Sequence, residues 1–539
     1  KYILPNYFEV NIIFFPRSVP FIFFVLTSFL LIISRVSAQF ILNNSSFKSS
    51  SYNKVVIYGA GIKASETYNS LINNKQISLV GFLDPRKDLH GQTVYGFKVF
   101  GDLDKIPKLK LRHNNFTILI VDPDISQKRR LEIINQCEKY NISVRHIPST
   151  SDLVNGIALL NMVQDVTPSQ LLGRPELVTK TNFALKSNQG KSILVTGAGG
   201  SIGSELCRQL LHLSPSSLTM LDSSEYNLYC IKEEINEIIK KDKLNIKLNF
   251  ILGSVENIFH IEKILKNHKI NSIYHAAAYK HVSLVEKNPI SSIYNNVFGT
   301  LNIVNLSSKY DISNLVLVST DKAVRPSTLM GKTKRISEII VKSIYHDKFK
   351  AKQNSLSKQI YSIVRFGNVL ASSGSVIPIF KKQIINGGPV TVTHKEVSRY
   401  FMTIQEASQL VIEASGIAAG GEVFVLDMGD PVKIDQLAKK LIRLSGYNVY
   451  NELSETENNS RSIKIKYIGL GVEEKLHEEL IIGKKIHKTK IPKIFKAEEK
   501  FVNWIILKKY INKLQKTILD NDKNNALKII DEILSYDKK

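Results

Sequence analysis

Thr320, Asp321 and Lys322 put a hydroxyl, a carboxylate and an amine on three consecutive residues. An elimination beside a carbonyl needs one group that removes a proton and another that protonates the departing oxygen, and this trio offers both. The two charged members would then work in charge states opposite to their usual ones, which a pocket shielded from water favours. Successive strand residues face opposite sides, so the trio converges only where a strand has given way to a loop. Arg325-Pro326 just beyond is such a loop signal. The alternative is an ordinary solvated charge pair at a strand end. Met330-Gly-Lys-Thr-Lys334 follows, its first and last residues one helical turn apart. In a Tyr-x-x-x-Lys pair at that spacing the tyrosine serves as base, and here Met330 stands in its place.

A second group reads as a phosphate cradle. Gly197, Gly200, Ser201, Ile202 and Gly203 follow the apolar stretch Ser-Ile-Leu-Val-Thr and open an amphipathic segment. Glycine there permits a tight turn, and the helix N-terminus turns amides and a positive dipole end toward a pyrophosphate. Asp222, followed by Ser223, closes the next strand about twenty residues on, where a carboxylate accepts ribose hydroxyls and repels a 2′-phosphate, which favours NAD over NADP. The competing role for Asp222 is a helix N-cap. Ala276 and Ala277 suit close approach of a cofactor. His275 and His281 around them have no Cys or carboxylate at ligand spacing, so no metal is expected. Arg365, Asn368, Arg399 and Lys475 are of types that suit a diphosphate or the edge of a base. An earlier Gly59-Ala-Gly61-x-x-Ala64 either binds a nucleotide or only packs tightly.

These residues need strands and helices to place them. Strand signals at 54–58, 77–83 and 116–121 alternate with helical stretches and predict a small doubly wound sheet over 54–150. Further strands at 192–196, 218–221, 249–252, 272–275, 315–319 and 362–365 predict a larger Rossmann sheet. From about 366 the pattern loosens into a smaller lobe, with the larger domain running over 191–490. Residues 39–53 read as a linker, 151–190 as a connecting segment and 491–539 as a helical tail. In that tail Trp504, Leu507, Ile511, Leu514 and Ile518 form a packing stripe at helical spacing. The fold class is thus α/β, with two Rossmann-like doubly wound parallel sheets in tandem.

Residues 12–33 are almost wholly apolar apart from Arg17, a length able to cross a bilayer. They read as a membrane helix within residues 1–38, the last of several, rather than a cleaved signal ending at Val36-Ser37-Ala38. Arg35, Lys48 and Lys54 then mark the cytoplasmic side. The three cysteines form no CxxC pair, which fits a reducing compartment. A net charge of +25 on a Lys-, Asn- and Ile-rich chain reads as solvated lysine faces. No basic segment interleaves aromatics, which argues against nucleic acid.

Taken together, the motifs Thr196-Gly-Ala-Gly-Gly-Ser-Ile-Gly203, His275-Ala-Ala-Ala-Tyr-Lys-His281, Asn296-Val-Phe-Gly-Thr300, Thr320-Asp-Lys-Ala-Val-Arg-Pro326, Met330-Gly-Lys-Thr-Lys334, Arg365-Phe-Gly-Asn-Val369 and Gly388-Pro-Val-Thr-Val-Thr-His394 carry a resemblance. The chain resembles the membrane-anchored nucleoside-diphosphate-sugar 4,6-dehydratases of polysaccharide biosynthesis, the CapD-like group of extended short-chain dehydrogenases, from about Pro16 to about Leu480. Members with Met for Tyr are similar to enzymes acting on UDP-N-acetylglucosamine. The resemblance implies recycled NAD, Lys322 as base, Asp321 as acid, Thr320 on the C4 hydroxyl and Lys334 on the nicotinamide ribose. It also implies Lys280 and His281 beside the UDP-sugar, and catalytic domains facing the cytoplasm from the inner membrane. A homo-oligomer is the expected assembly. The chain departs from the pattern at Ser254, where an Asp often holds adenine, and at Gly469-Leu-Gly-Val-Glu-Glu-Lys475, which lacks Arg-Pro-Gly before Glu-Lys. A nucleotide-sugar epimerase and a catalytically idle NAD-holding scaffold are the alternatives.

Overall fold

The computed structural model describes residues 18–45, most of 53–146, and 182–538 apart from 351–358, 451–461, 481–485 and a few single positions. Much of the expected linker (46–52) and of the connecting segment (151–181) lies outside the described residues. The apolar N-terminal segment forms helix α1 (Ser18–Ser45), on which Phe21, Phe24, Leu30 and Ile33 are exposed. Among the described residues no helix is long and apolar enough to cross a membrane. The expected membrane helix is thus not found among the described residues.

The first α/β unit is a four-stranded parallel sheet of β1 (Asn53–Tyr58), β2 (Ile77–Leu83), β3 (Thr117–Ile120) and β4 (Ser143–His146), in the order β2-β1-β3-β4. The reversal of order at β1 makes it doubly wound. Its first three strands match the sequence signals, while β4 gave none strong enough to be read.

The second unit is built on β5 (Ser192–Thr196), β6 (Ser217–Asp222), β7 (Lys247–Leu252), β8 (Ser272–His275), β9 (Asn314–Thr320), β10 (Ile360–Phe366) and β11 (Val423–Leu426). Two further strands are β12 (Ile486–Lys488) and β13 (Ile494–Ala497). The order is β12-β13-β11-β10-β9-β8-β5-β6-β7, parallel from β11 to β7 and antiparallel where β13 joins β11. Central strands covered on both faces read as unbroken apolar runs, and every residue of β5, β6 and β8 is buried. The chain reverses direction across the sheet between β5 and β8, and ligands of such folds bind beyond the carboxyl ends of strands at that crevice.

Because β13 belongs to this sheet, the boundary expected at 490/491 is corrected, and the helical tail begins at α4 (Trp504–Leu519), followed by α5 (Lys523–Lys538) once α2 (Ser201–Leu211) and α3 (Leu329–Tyr345) are counted. Leu507, Ile511, Leu514 and Ile518 of α4 are buried in one core with Ile336, Ile340 and Ile344 of α3, so the stripe packs as its spacing predicts. Residues beyond β10 form a separate small core of Ile377, Phe380, Val390, Leu437 and Ile463, the expected second lobe.

Candidate functional site

A cavity of about 990 Å³ runs from the glycine turn to the second lobe. At its start, β5 delivers Gly197 into a left-handed turn with φ of +68°, and a Cβ there would sit 2.8 Å from the backbone of Ala277. Only glycine fits both demands. Gly200 caps α2, whose first residues Ser201, Ile202 and Gly203 line the cavity, so free amides face it. The cradle therefore fits a dinucleotide pyrophosphate. Asp222 lies beside the turn and not on the cavity wall: its Oδ2 accepts from the Gly199 N–H at 2.8 Å and its Oδ1 from the Ser224 N–H at 2.8 Å. The helix cap after it is Ser224, whose side chain accepts from the Asn227 N–H. Asp222 thus braces the turn from the edge where a ribose would lie, and Ser223 next to it is exposed and off the wall.

The Thr-Asp-Lys trio stands where β9 ends. Thr320 is the last strand residue, and a single 3-10 turn, Asp321–Ala323, follows. The loop that convergence demands is present, with Arg325 at φ of +43°. Thr320 Oγ1 donates to Asp321 Oδ1 at 2.8 Å, and Lys322 Nζ donates to the same oxygen at 3.1 Å and to Asn368 Oδ1 at 2.8 Å. Asp321 is fully buried and its Oδ2 has no hydrogen-bond partner among the described residues. Such a site is not a solvated surface pair. Thr320, Lys322 and Asn368 line the cavity. The first turn of α3, capped by Thr328, rests directly on this turn. A Cβ on Gly331 would meet the Lys322 carbonyl oxygen at 2.3 Å, so glycine is what allows the approach.

Met330 and Lys334 lie on successive turns of α3 and both line the cavity. Lys334 Nζ donates to the Val318 carbonyl at 2.7 Å, and burial pulls its amine down to about 8. Ala276, Lys280, His281 and Arg399 line it as well, whereas Ala277 contributes backbone packing against Gly197. His275 is buried off the wall between Thr196 Oγ1, 2.7 Å from Nδ1, and Thr300 Oγ1, 3.0 Å from Nε2. Thr300 gives its own proton to the Asn296 carbonyl, so the Nε2–H donates to Thr300 and Nδ1 accepts from Thr196. Burial pushes the imidazole down to about 3, and it stays neutral. Among the described residues no cluster of ligand side chains would hold a metal.

Two substrate assignments are corrected. Arg365 is fully buried on β10 and off the cavity, its Nε and Nη2 donating to Glu338 at 2.7 and 2.6 Å and its Nη1 to Glu499 at 2.6 Å. Its charge is spent on carboxylates behind the sheet. Lys475 also misses the wall, because its Nζ donates to the Val324 carbonyl at 3.0 Å. Asn368 is on the wall but is held by Lys322. Sequence reasoning missed Glu478, a buried carboxylate 3.9 Å from Lys322 Nζ; within Glu474-Lys-Leu-His-Glu-Glu479 it reads as one charge of a solvated run.

Comparison with known proteins agrees with this layout. The family described as "Polysaccharide biosynthesis protein" matches residues 193–499. The chain is 38% identical over 468 residues to the capsular polysaccharide biosynthesis protein CapD of Staphylococcus aureus, covering 86% of this chain and 74% of that protein. It is 36% identical over 465 residues to the probable polysaccharide biosynthesis protein EpsC of Bacillus subtilis, covering 85% and 73%. A UDP-glucose 4-epimerase of Rickettsia rickettsii is 30% identical over 299 residues, covering 56% of this chain and 80% of that enzyme. With the matched region spanning both the glycine turn and the Thr-Asp-Lys turn, the chain belongs to the polysaccharide biosynthesis protein family.

Proposed function

We propose that the chain catalyses the NAD-dependent 4,6-dehydration of a nucleoside-diphosphate sugar, UDP-N-acetylglucosamine, to its 4-keto-6-deoxy derivative for surface glycan synthesis. The observation that carries this is the hydrogen-bonded line of Thr320, Asp321, Lys322 and Asn368 at the end of β9, in the same cavity as the glycine turn. NAD, which the turn of Gly197, Gly200 and Gly203 and the N-terminus of α2 would hold, would supply the hydride acceptor and donor that C4 and C6 require. The chain's own residues manage the protons. As the C4 hydroxyl gives its proton to Thr320, the hydroxyl of Thr320 passes its own to Asp321 Oδ1 along the 2.8 Å bond. Asp321, now an acid, protonates the C6 hydroxyl, which leaves as water. The neutral amine of Lys322 removes the C5 proton and returns it after C6 is reduced. Atoms balance as substrate to product plus one water, and each residue ends as it began.

The exposed apolar side chains of α1 support a membrane attachment with the two α/β units on the cytoplasmic side. Epimerisation is the second reading, favoured by the likeness to the rickettsial enzyme. Both are separated by incubating the full chain with UDP-N-acetylglucosamine, without added NAD, and following mass and stereochemistry. Loss of one water, abolished in Lys322→Ala with bound cofactor retained, is the expected result. An epimerised sugar of unchanged mass overturns the dehydratase reading.

A further inference from the structure

Residues 474–479 form a strap against the turn that carries Lys322. Glu474 accepts from Arg399 Nη2 at 2.8 Å, Lys475 Nζ reaches the Val324 carbonyl, His477 Nδ1 lies 2.7 Å from Ser398 Oγ, and Glu479 pairs with Arg325 at 3.0 Å. Four of these side chains are thus occupied in fixing the strap. Glu478 is not. Its side chain is 7% exposed, and its polar neighbours among the described residues are two long ion pairs, Lys322 Nζ at 3.9 Å and Arg399 Nε at 4.0 Å, both to Oε1. A buried carboxylate is costly unless it is well paired or takes up a proton.

A role for Glu478 rests on the dehydratase reading, in which one proton is left unplaced. Lys322 must meet C5 as a neutral amine, yet a lysine ordinarily carries a proton at neutral pH, and its Nζ lies against Asp321 and Asn368. Asp321 cannot take that proton, since it has to be empty to receive the one that Thr320 relays from the C4 hydroxyl. Asn368 offers an amide oxygen, which is not a base at neutral pH. Arg399 stays cationic throughout. Among the described residues the one remaining acceptor facing Nζ is Glu478. We propose that Glu478 takes the resting proton of Lys322, acting through the base as a positioning residue for that proton. In the step one N–H bond of Lys322 breaks and one O–H bond forms on Glu478, turning an ammonium–carboxylate pair into an amine–acid pair with no change in total charge. Burial holds the Glu478 carboxyl above the usual carboxylate range, with Asp321 adding to the effect and Lys322, Arg399 and Lys475 opposing it. Among the described residues those four are the charged groups that act on it most strongly.

The test is the pH profile of water loss from UDP-N-acetylglucosamine by the full chain. A proton exchanged within the Lys322–Glu478 pair makes the wild-type kcat flat across the neutral range. In Glu478→Gln the amine has to lose its proton to solvent, so kcat falls at neutral pH and climbs about tenfold per pH unit, while KM and bound NAD hold. Glu478→Asp, which keeps the carboxylate, restores a flat profile at a lower rate. A flat Glu478→Gln profile at the wild-type rate overturns the proposal, as does a change in KM alone. Should the glutamine chain not fold, the aspartate chain decides: kcat lowered over a flat profile supports the proposal, and an unchanged kcat overturns it. A wild-type chain that removes no water at any pH refutes the dehydratase reading itself, a failure distinct from that of Glu478.

Discussion

Replacing Arg365 with Met separates a residue that grips substrate from one that holds the protein together. Behind β10 and α3, Arg365 and Arg335 share Glu338 and Glu499, and Arg335 reaches on to Asp537 of α5 at 2.7 Å. Arg365 makes four contacts of 2.6 to 3.1 Å to the two carboxylates and is wholly buried. Although burial works to raise the Glu499 carboxyl, Arg365 and Arg335 hold it down at about 2. Met fills similar volume but leaves two buried carboxylates to one guanidinium. Removing one partner from a buried ion network costs ~3–5 kcal/mol, mostly the desolvation of what is left unpaired. Urea unfolding of the full chain, followed by far-UV circular dichroism, should show an unfolding free energy lowered by that amount and a correspondingly lower midpoint, with KM for the sugar nucleotide within about twofold. Adding Glu499→Leu should recover part of the loss, since the orphaned charge goes with it. An unchanged midpoint with a raised KM would refute the reasoning and return Arg365 to the substrate.

Gly331→Ala drives a Cβ into the Lys322 carbonyl, 2.3 Å away, and overpacking of this kind costs ~1–3 kcal/mol. Since the strain falls on the turn that aims Lys322, kcat should drop at least about tenfold while co-purified NAD, assayed after denaturation, is unchanged. His275 gives a pH signature. Its folded value near 3 lies below the unfolded value near 6.5, so the unfolded chain binds the extra proton between them. Stability is therefore full above pH ~6.5 and falls toward pH 3, by about 1.4 kcal/mol per pH unit from this group. The acid-side slope of the unfolding free energy against pH, from urea melts, should flatten by that amount in His275→Asn, and an unaltered slope would rule the histidine out.

What the sequence made readable was local. Gly197 to Gly203 between an apolar strand and a helix fixes its own turn, and Thr320-Asp321-Lys322 before Arg325-Pro326 fixes its own strand end, so both came out of spacing alone. Met330 and Lys334 needed only one helical turn to share a face. Arg365 and Lys475 misled because residue type says that a cation wants an anion and not which one. The carboxylates that satisfy Arg365 lie 27 and 134 positions away, on α3 and just past β13. The strands β11 and β13 were passed over for a similar reason. Four residues carry little periodicity, and what makes them strands is a sheet edge waiting to be paired, that of β10 for β11 and that of β11 for β13.

The same distinction bears on Met330. A tyrosine at that place on α3 would bring a proton carrier to the cavity from the helix side, with Lys334 one turn on to tune it. Here Lys334 is committed to the Val318 carbonyl and Met330 presents only a thioether, so the helix side offers no carrier. The strand side does, because Thr320 already donates to Asp321 and Asp321 already touches Lys322. On this reading the proton lost at C4 is made good at C6 through a two-step relay along the end of β9, and the work of the missing tyrosine is divided between Thr320 and Asp321. Met330→Tyr should therefore not raise the rate, whereas Thr320→Val, which keeps the shape and removes the hydroxyl, should lower kcat by about 10²-fold or more with little change in bound NAD. If Thr320→Val turned over at the wild-type rate, the C4 proton would have to leave by another route, and the division of labour between Thr320 and Asp321 would fall.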